Sequence, residues 1–194
     1  MRFPIYGASM NTPNQDLGVI AKSNRMQGIS IALGISGGIG AVETVKVARE
    51  WRRHGAEVTA FFSPEALRFI TPLSLEWATG RRPIVEAGPE VEHLNSFDLV
   101  VVAPATLNTL SKTAAALLDT PVTLLIAGQL GRKAPLLMVP TMNEQLSNHP
   151  QYSEIVNRLK SWGIQFFESC AEEGRFKMPS PEKLAEEVLR ILER

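Results

Sequence analysis

Short, uninterrupted apolar runs alternate along the chain with stripes of helical period. Residues 29–33 are the first run and read as a buried strand. Gly34, Gly37, Gly38 and Gly40 punctuate the turn that follows. From Ala41 the period becomes helical, with Val42, Val45, Ala48 and Trp51 along one stripe. His54-Gly55 closes this helix and residues 56–62 form a second strand. Ser63-Pro64-Glu65 has Ser at a cap and Pro in the first turn, a helix start that runs to about residues 69–72. A second start at Thr71 or Ser74 leads through Leu75, Trp77 and Ala78 to a stop at Gly80. Residues 81–95 are charged, contain Pro83, Gly88 and Pro89, and read as a loop. Residues 98–106 read as a strand, apolar throughout from Leu99 to Ala105, as a strand covered on both faces is. A helix is predicted over 106–118, strands over 122–127 and 136–139, and a helix over 151–162 with Ile155, Leu159 and Trp162 inward. A last strand at 165–167 and a polar, irregular segment at 168–181 precede a helix over 182–193. Trp51, Trp77 and Trp162 are all expected in the core.

Strands that alternate with helices predict an α/β fold, a doubly wound, Rossmann-like or flavodoxin-like, mostly parallel sheet with helices on both faces. Ligands of such sheets bind beyond the carboxyl ends of the strands. Three distinctive loops fall there, at residues 34–40, 104–109 and 140–143. Residues 1–28 show no sustained period and read as an irregular, loosely held arm ahead of one domain at 29–194.

Composition narrows the partners. Lys plus Arg equals Asp plus Glu, 20 against 20, which points away from nucleic acid and from an anionic membrane surface. The single cysteine, Cys170, excludes an intramolecular disulfide and suits a reducing compartment. No apolar run approaches the roughly 18 residues of a membrane span. A soluble, cytoplasmic protein with a small-molecule ligand is expected.

Strand, glycine loop and helix start form an arrangement that turns backbone N–H groups toward an anion, usually a phosphate. Ser36, Ser63, Asn108 and Thr109 are short hydroxyls and amides at loops and helix starts, suited to a phosphate or a polyol chain. Each Ser or Thr is equally read as a helix cap. Thr106 or Leu107 is placed to lie against a ring. Asn143 offers an uncharged amide to a carboxylate, or serves as a turn residue. Cys170 sits in a polar, glycine-containing segment beside Arg175 and Lys177, which suit a substrate phosphate or a solvated face.

The loops together resemble the homo-oligomeric flavin-containing cysteine decarboxylases, over residues 29 to about 191. Gly34-Ile-Ser-Gly-Gly-Ile-Gly is similar to that family's first flavin mononucleotide (FMN) loop. Ser63-Pro-Glu-Ala with Phe69-Ile-Thr-Pro-Leu is similar to its second segment. Ala103-Pro-Ala-Thr-Leu-Asn-Thr resembles A-P-A-T-x-N-T, with Lys112 and Asp119 at the downstream spacing. Pro140-Thr-Met-Asn resembles P-A-M-N, and Ser169-Cys-Ala-Glu-Glu-Gly-Arg-Phe-Lys-Met resembles the substrate lid A-C-G-x-x-G-x-G-R-M.

The resemblance implies FMN as cofactor, held by Gly34, Ser36, Gly37, Gly38, Ser63, Thr71, Ala105, Thr106, Asn108 and Thr109. It implies substrate contacts from Met142, Asn143, Arg175 and Lys177, and chemistry at Asn143, Cys170 and a histidine. The implied reaction is decarboxylation of a cysteinyl carboxylate, such as that of 4'-phosphopantothenoylcysteine in coenzyme A biosynthesis, with no metal. It also implies a homo-oligomer, trimer or dodecamer, with sites at subunit interfaces. A divergent FMN oxidoreductase, a peptidyl-cysteine decarboxylase and a flavin carrier are the alternatives on the same scaffold. Two positions depart from the pattern. The family's histidine lies eight residues before the Asp that opens the central strand, which here falls on Glu90; His93 is the nearby candidate. Phe176 stands where the lid has Gly.

Overall fold

The structure is a computed structural model that describes residues 18–86, 96–167, 171–172 and 175–193. Its elements in chain order are β1 Ser30–Ile35, α1 Thr44–Arg53, β2 Glu57–Phe62, α2 Pro72–Thr79, β3 Leu99–Ala105 and α3 Leu107–Ala114. There follow α4 Pro121–Gly131, β4 Leu136–Pro140, β5 Met142–Asn143, α5 Glu144–Ser147, α6 Tyr152–Ser161, β6 Gln165–Phe166, β7 Ala171–Glu172, β8 Arg175–Phe176 and α7 Pro181–Leu192. Two 3-10 turns, Ile39–Glu43 and Pro64–Arg68, follow β1 and β2. The main sheet has strand order β2-β1-β3-β4-β6, and every pairing in it is parallel.

The period of two in a strand explains why these runs are apolar throughout. Ile31, Leu33, Leu99, Val101, Leu137 and Val139 pack on one face with Trp51 of α1, Leu75 of α2 and Val188 of α7. Ala32, Val100, Val102, Leu136 and Met138 pack on the other with Leu110 of α3, Leu125 of α4 and Leu159 of α6. Each central strand therefore contributes to two cores, and the expected doubly wound fold is present. The chain leaves β1 toward β2 on one side and later fills β3, β4 and β6 on the other. The β1/β3 boundary is thus the point where strand order reverses, and a crevice opens beyond its carboxyl ends.

Several local expectations are corrected. Residues 122–127 are helical, not a strand. Thr120 caps α4 by accepting from the Thr123 N–H at 3.1 Å, while the Thr123 hydroxyl accepts from the Thr120 N–H at 3.0 Å, and Pro121 occupies the first turn. The helix is apolar nearly all round because it lies buried on the sheet, and periodicity alone does not separate such a helix from a strand. Trp51 is buried, but Trp77 and Trp162 are about half exposed, at 49% and 45%. The guanidinium of Arg49 covers the Trp77 ring at 4.2 Å, which lets the indole sit at the surface. The helix predicted to Leu118 ends at Ala114, and Leu117 and Leu118 are exposed. Within 168–181, β8 pairs antiparallel with β7 on one side and with β5 on the other.

Residues 18–28, expected to be loosely held, are docked on α1. Met26 is fully buried, and its N–H donates to the His54 carbonyl at 2.8 Å. Lys22 Nζ reaches the buried Glu50 at 2.5 Å, and Ser23 Oγ lies 2.7 Å from His54 Nδ1. Among the described residues, no helix is long and apolar enough to cross a membrane, and no cluster of acidic, His and Cys side chains is arranged to hold a metal.

Candidate functional site

The crevice is built from the loop after β1, the turn after β2 and the junction of β3 with α3. Pro104 cannot donate to the sheet, and the β3/β4 register shifts between Val102 and Ala105. This irregularity leaves the Pro104 carbonyl free to accept from the Ser36 backbone N–H at 3.3 Å and from Ser36 Oγ at 2.7 Å. Ser36 Oγ in turn accepts from the Thr106 N–H at 3.0 Å, so one buried hydroxyl ties the end of β1 to the end of β3.

Gly37 lies against the turn after β2. A Cβ on it would stand 2.3 Å from Glu65 Cβ and 2.9 Å from the Glu65 carbonyl carbon, so no side chain fits there. Ser63 caps that turn, accepting from the Ala66 N–H at 3.3 Å. Thr106 caps α3, where its hydroxyl faces the Thr109 N–H and hydroxyl at 3.5 and 3.3 Å. The backbone N–H groups of Leu107 and Asn108, in the first turn of α3, have no intrahelical acceptor.

A cavity of about 460 Å³ opens among these parts. Gly37, Ser63, Thr106, Asn108 and Thr109 line it, as do Glu65, Lys112 and the apolar side chains of Leu107 and Leu146. Its volume is in the range of small-molecule and cofactor sites. Lys112 is spent on Asp119 at 2.7 Å, and that hydrogen bond holds the Asp119 carboxyl below its ordinary value. The wall is largely apolar, and beside Glu65 and the paired Lys112 its polar groups are neutral hydroxyls, an amide and helix-start N–H groups, suited to a ligand with an anionic end, a hydroxylated stretch and an apolar body.

Asn143 sits at the start of α5. Its Oδ1 accepts from the Leu146 N–H at 3.0 Å, which fixes the side chain and leaves the amide N–H groups to face solvent. Met142 is buried. The β5/β8 pairing sets Asn143 opposite Arg175 and Met142 opposite Phe176, carrying segment 175–178 back to the loops. Met178 lies against Gly40, where an added Cβ would meet its Cγ at 2.7 Å and the Thr141 methyl at 3.2 Å. Lys177 is exposed.

The sequence candidates thus divide. Gly37, Ser63, Thr106, Asn108 and Thr109 share the cavity wall. Ser36 and Ala105 are buried behind it. Gly38 stands at the start of the first 3-10 turn, its Cβ position 3.4 Å from the Thr106 methyl. Gly34 lies inside β1, where a Cβ would meet Val122 and Val102, so it serves packing of α4 on the sheet. Thr71 is exposed at the start of α2, bonded to Ser74 at 3.0 Å, and does not line the cavity. His93, Glu90 and Cys170 lie outside the described residues. Thr120 and Thr123 also line the cavity. Reading their segment as a strand concealed them, although Thr-Pro with a second Thr three residues on is a legible cap signal.

A match to the family described as Flavoprotein spans residues 19–193. The chain belongs to the flavoprotein family. It is 40% identical over 178 residues to the coenzyme A biosynthesis bifunctional protein CoaBC of Thermococcus kodakarensis, covering 88% of this chain and 44% of that protein. The corresponding protein of Escherichia coli K12 is 31% identical, covering 80% of this chain and 41% of its own length. The chain spans less than half the length of these relatives. Among solved structures, a PPC decarboxylase mutant complexed with pantothenoylaminoethenethiol superposes with a TM-score of 0.76 at 23% identity, covering 86% of this chain and 99% of the other. The FMN-dependent cysteine decarboxylase SpaF gives a TM-score of 0.76 at 20% identity, covering 87% and 99%. These likenesses establish the flavoprotein's doubly wound architecture.

Proposed function

We propose that this flavoprotein binds FMN and decarboxylates the cysteinyl carboxylate of 4'-phosphopantothenoylcysteine, yielding 4'-phosphopantetheine for coenzyme A biosynthesis. The observation that carries the reading is the cavity at the β1/β3 switch point, lined by the start of α3 and by Leu146, whose backbone N–H holds the Asn143 side chain. The 40% identity with CoaBC supplies the substrate class.

The residues present fit the cofactor. The Leu107 and Asn108 N–H groups and the Ser63 and Thr109 hydroxyls suit its phosphate and ribityl chain, and Leu107 suits its ring. Lys112, already paired with Asp119, brings no free charge to the wall. When bound, FMN supplies reversible two-electron chemistry at the cysteinyl unit, which makes loss of CO2 easy. The chain orients that unit and excludes water from it. Asn143 donates its amide N–H to the substrate carboxylate, and its Oδ1 bond to Leu146 keeps that donor aimed without adding charge. Cys170 returns a proton to the product and Arg175 and Lys177 meet the substrate phosphate, roles that rest on the motif alone. His93 takes the histidine's part.

The protein works in the cytoplasm as a homo-oligomer, a trimer or a dodecamer. Ile39, Leu67, Phe69, Leu73 and Trp77, all 40% exposed or more, support this: they are large apolar side chains on the elements that follow β1 and β2.

Asn143→Asp tests the reading. Aspartate keeps an oxygen for the Leu146 N–H but replaces the amide donor with a charge that repels the substrate. Thermal stability and flavin content are expected to hold while CO2 release falls at least about a hundredfold, the effect of misplacing one preorganised donor. Full turnover by Asn143→Asp would remove Asn143 from the site.

A further inference from the structure

We infer that Ser36 is a positioning residue for the phosphate end of the cofactor and not one of its ligands, a role that rests on the flavin-binding reading above. Its place in the glycine loop suggests direct contact with phosphate, but the geometry argues otherwise. A phosphate at neutral pH only accepts hydrogen bonds, and a serine hydroxyl has one proton to donate. The Pro104 carbonyl takes that proton at 2.7 Å. The side chain is 1% exposed, and its oxygen is already engaged by the Thr106 N–H at 3.0 Å. Nothing remains for Ser36 to offer an anion.

It acts instead through Thr106. By fixing the Thr106 N–H, Ser36 places the cap of α3, whose hydroxyl faces the Thr109 N–H. The cap in turn aims the unpaired Leu107 and Asn108 N–H groups along the cavity wall, where both residues stand. The same hydroxyl holds the ends of β1 and β3 together across the point where strand order reverses. Ser36 therefore sets the spacing between the glycine loop and the α3 start, the two parts that must close on one phosphate.

The test compares FMN with riboflavin, which lacks the phosphate. Ser36→Ala strands the Thr106 N–H and frees the α3 start, so FMN affinity is expected to fall about tenfold or more, the scale of one misdirected buried hydrogen bond. Riboflavin affinity is expected to change by less than about twofold by the same arithmetic. Equal weakening of both ligands would mean that Ser36 only stabilises the fold, and would overturn the inference. If Ser36→Ala does not fold, the crystal structure of the wild-type FMN complex decides in its place. A crystal structure of the wild-type FMN complex completes the test: Ser36 Oγ on Pro104 and Thr106 is expected, and Ser36 Oγ hydrogen-bonded to a phosphate oxygen would overturn it. Wild-type protein that binds riboflavin as tightly as FMN would likewise overturn it. Protein that binds neither flavin would refute the flavin-binding reading itself.

Discussion

The same substitution, Gly to Ala, is expected to have opposite effects at Gly37 and Gly131. At Gly37 the new Cβ would stand 2.3 Å from Glu65 Cβ, 2.9 Å from the Glu65 carbonyl carbon and 3.2 Å from its Cα. Carbon atoms in contact prefer about 3.5–4.0 Å. The backbone of the 3-10 turn at residues 64–68 must therefore withdraw by about 1 Å, because no flexible side-chain end is there to yield. Gly37 does not occupy the left-handed region, so the penalty is steric rather than conformational. Overpacking of this kind costs about 1–3 kcal/mol, which for a chain of this size lowers Tm by about 2–12 °C. Displacing the turn also moves Ser63 and Glu65 in the cavity wall, so flavin affinity falls with it. At Gly131, the last residue of α4, an added Cβ meets nothing within 4 Å. Alanine there gains about 0.4–1 kcal/mol by restricting the unfolded chain, and Tm rises by up to about 4 °C. Thermal unfolding of both variants, followed by circular dichroism, checks the pair. Gly37→Ala with a wild-type Tm and wild-type flavin affinity would refute the close approach of the two loops.

Three further outcomes are expected. Burial alone would raise the Glu50 carboxyl, but hydrogen bonds and charge from Lys22 and Arg53 outweigh it and hold it below its ordinary value. The folded chain then binds fewer protons there than the unfolded one, so this stability is full above the ordinary carboxylate range and is lost as pH falls through the depressed value. Glu50→Gln should show a flatter loss of Tm with acid than wild type; an identical acid profile would contradict the assignment. Thr120→Ala removes the α4 cap and should cost about 1 kcal/mol, read from urea unfolding; an unchanged midpoint would count against the capping box. Gly40→Ala should shift segment 176–178 by pushing Met178 aside while leaving the main sheet intact, read as raised amide exchange in α7's leading segment. Unaltered exchange there would show that the contact is not closed in solution.

Most of the fold was legible because its strands are buried on both faces. Continuous runs such as residues 99–105 admit few other readings, and their alternation with amphipathic helices fixes a parallel, doubly wound sheet. The same property concealed α4. A helix lying flat on such a sheet is apolar all round, and only Thr120, Pro121 and Thr123 mark it as a helix. The two-residue strands β5, β7 and β8 are too short to carry a period and become visible only as pairings. Trp77 was misplaced because a tryptophan on an apolar stripe does not announce the cation, Arg49, that covers it at the surface.

The candidate site was legible as a set of loops, since glycines, Thr-x-x-Thr caps and Pro-Thr-Met-Asn mark strand ends from residue type alone. What each side chain does there was not. Ser36 and Ser63 look alike in sequence, yet one spends its proton on Pro104 behind the wall and the other stands on the wall. That difference depends on a register shift in β3, more than sixty residues away.

Release of CO2 from 4'-phosphopantothenoylcysteine by protein loaded with FMN tests the central claim most directly. The account predicts CO2 and 4'-phosphopantetheine in equal amounts from wild-type protein, and little of either from Asn143→Asp with the same flavin content. Protein that carries FMN and releases no CO2 would contradict it.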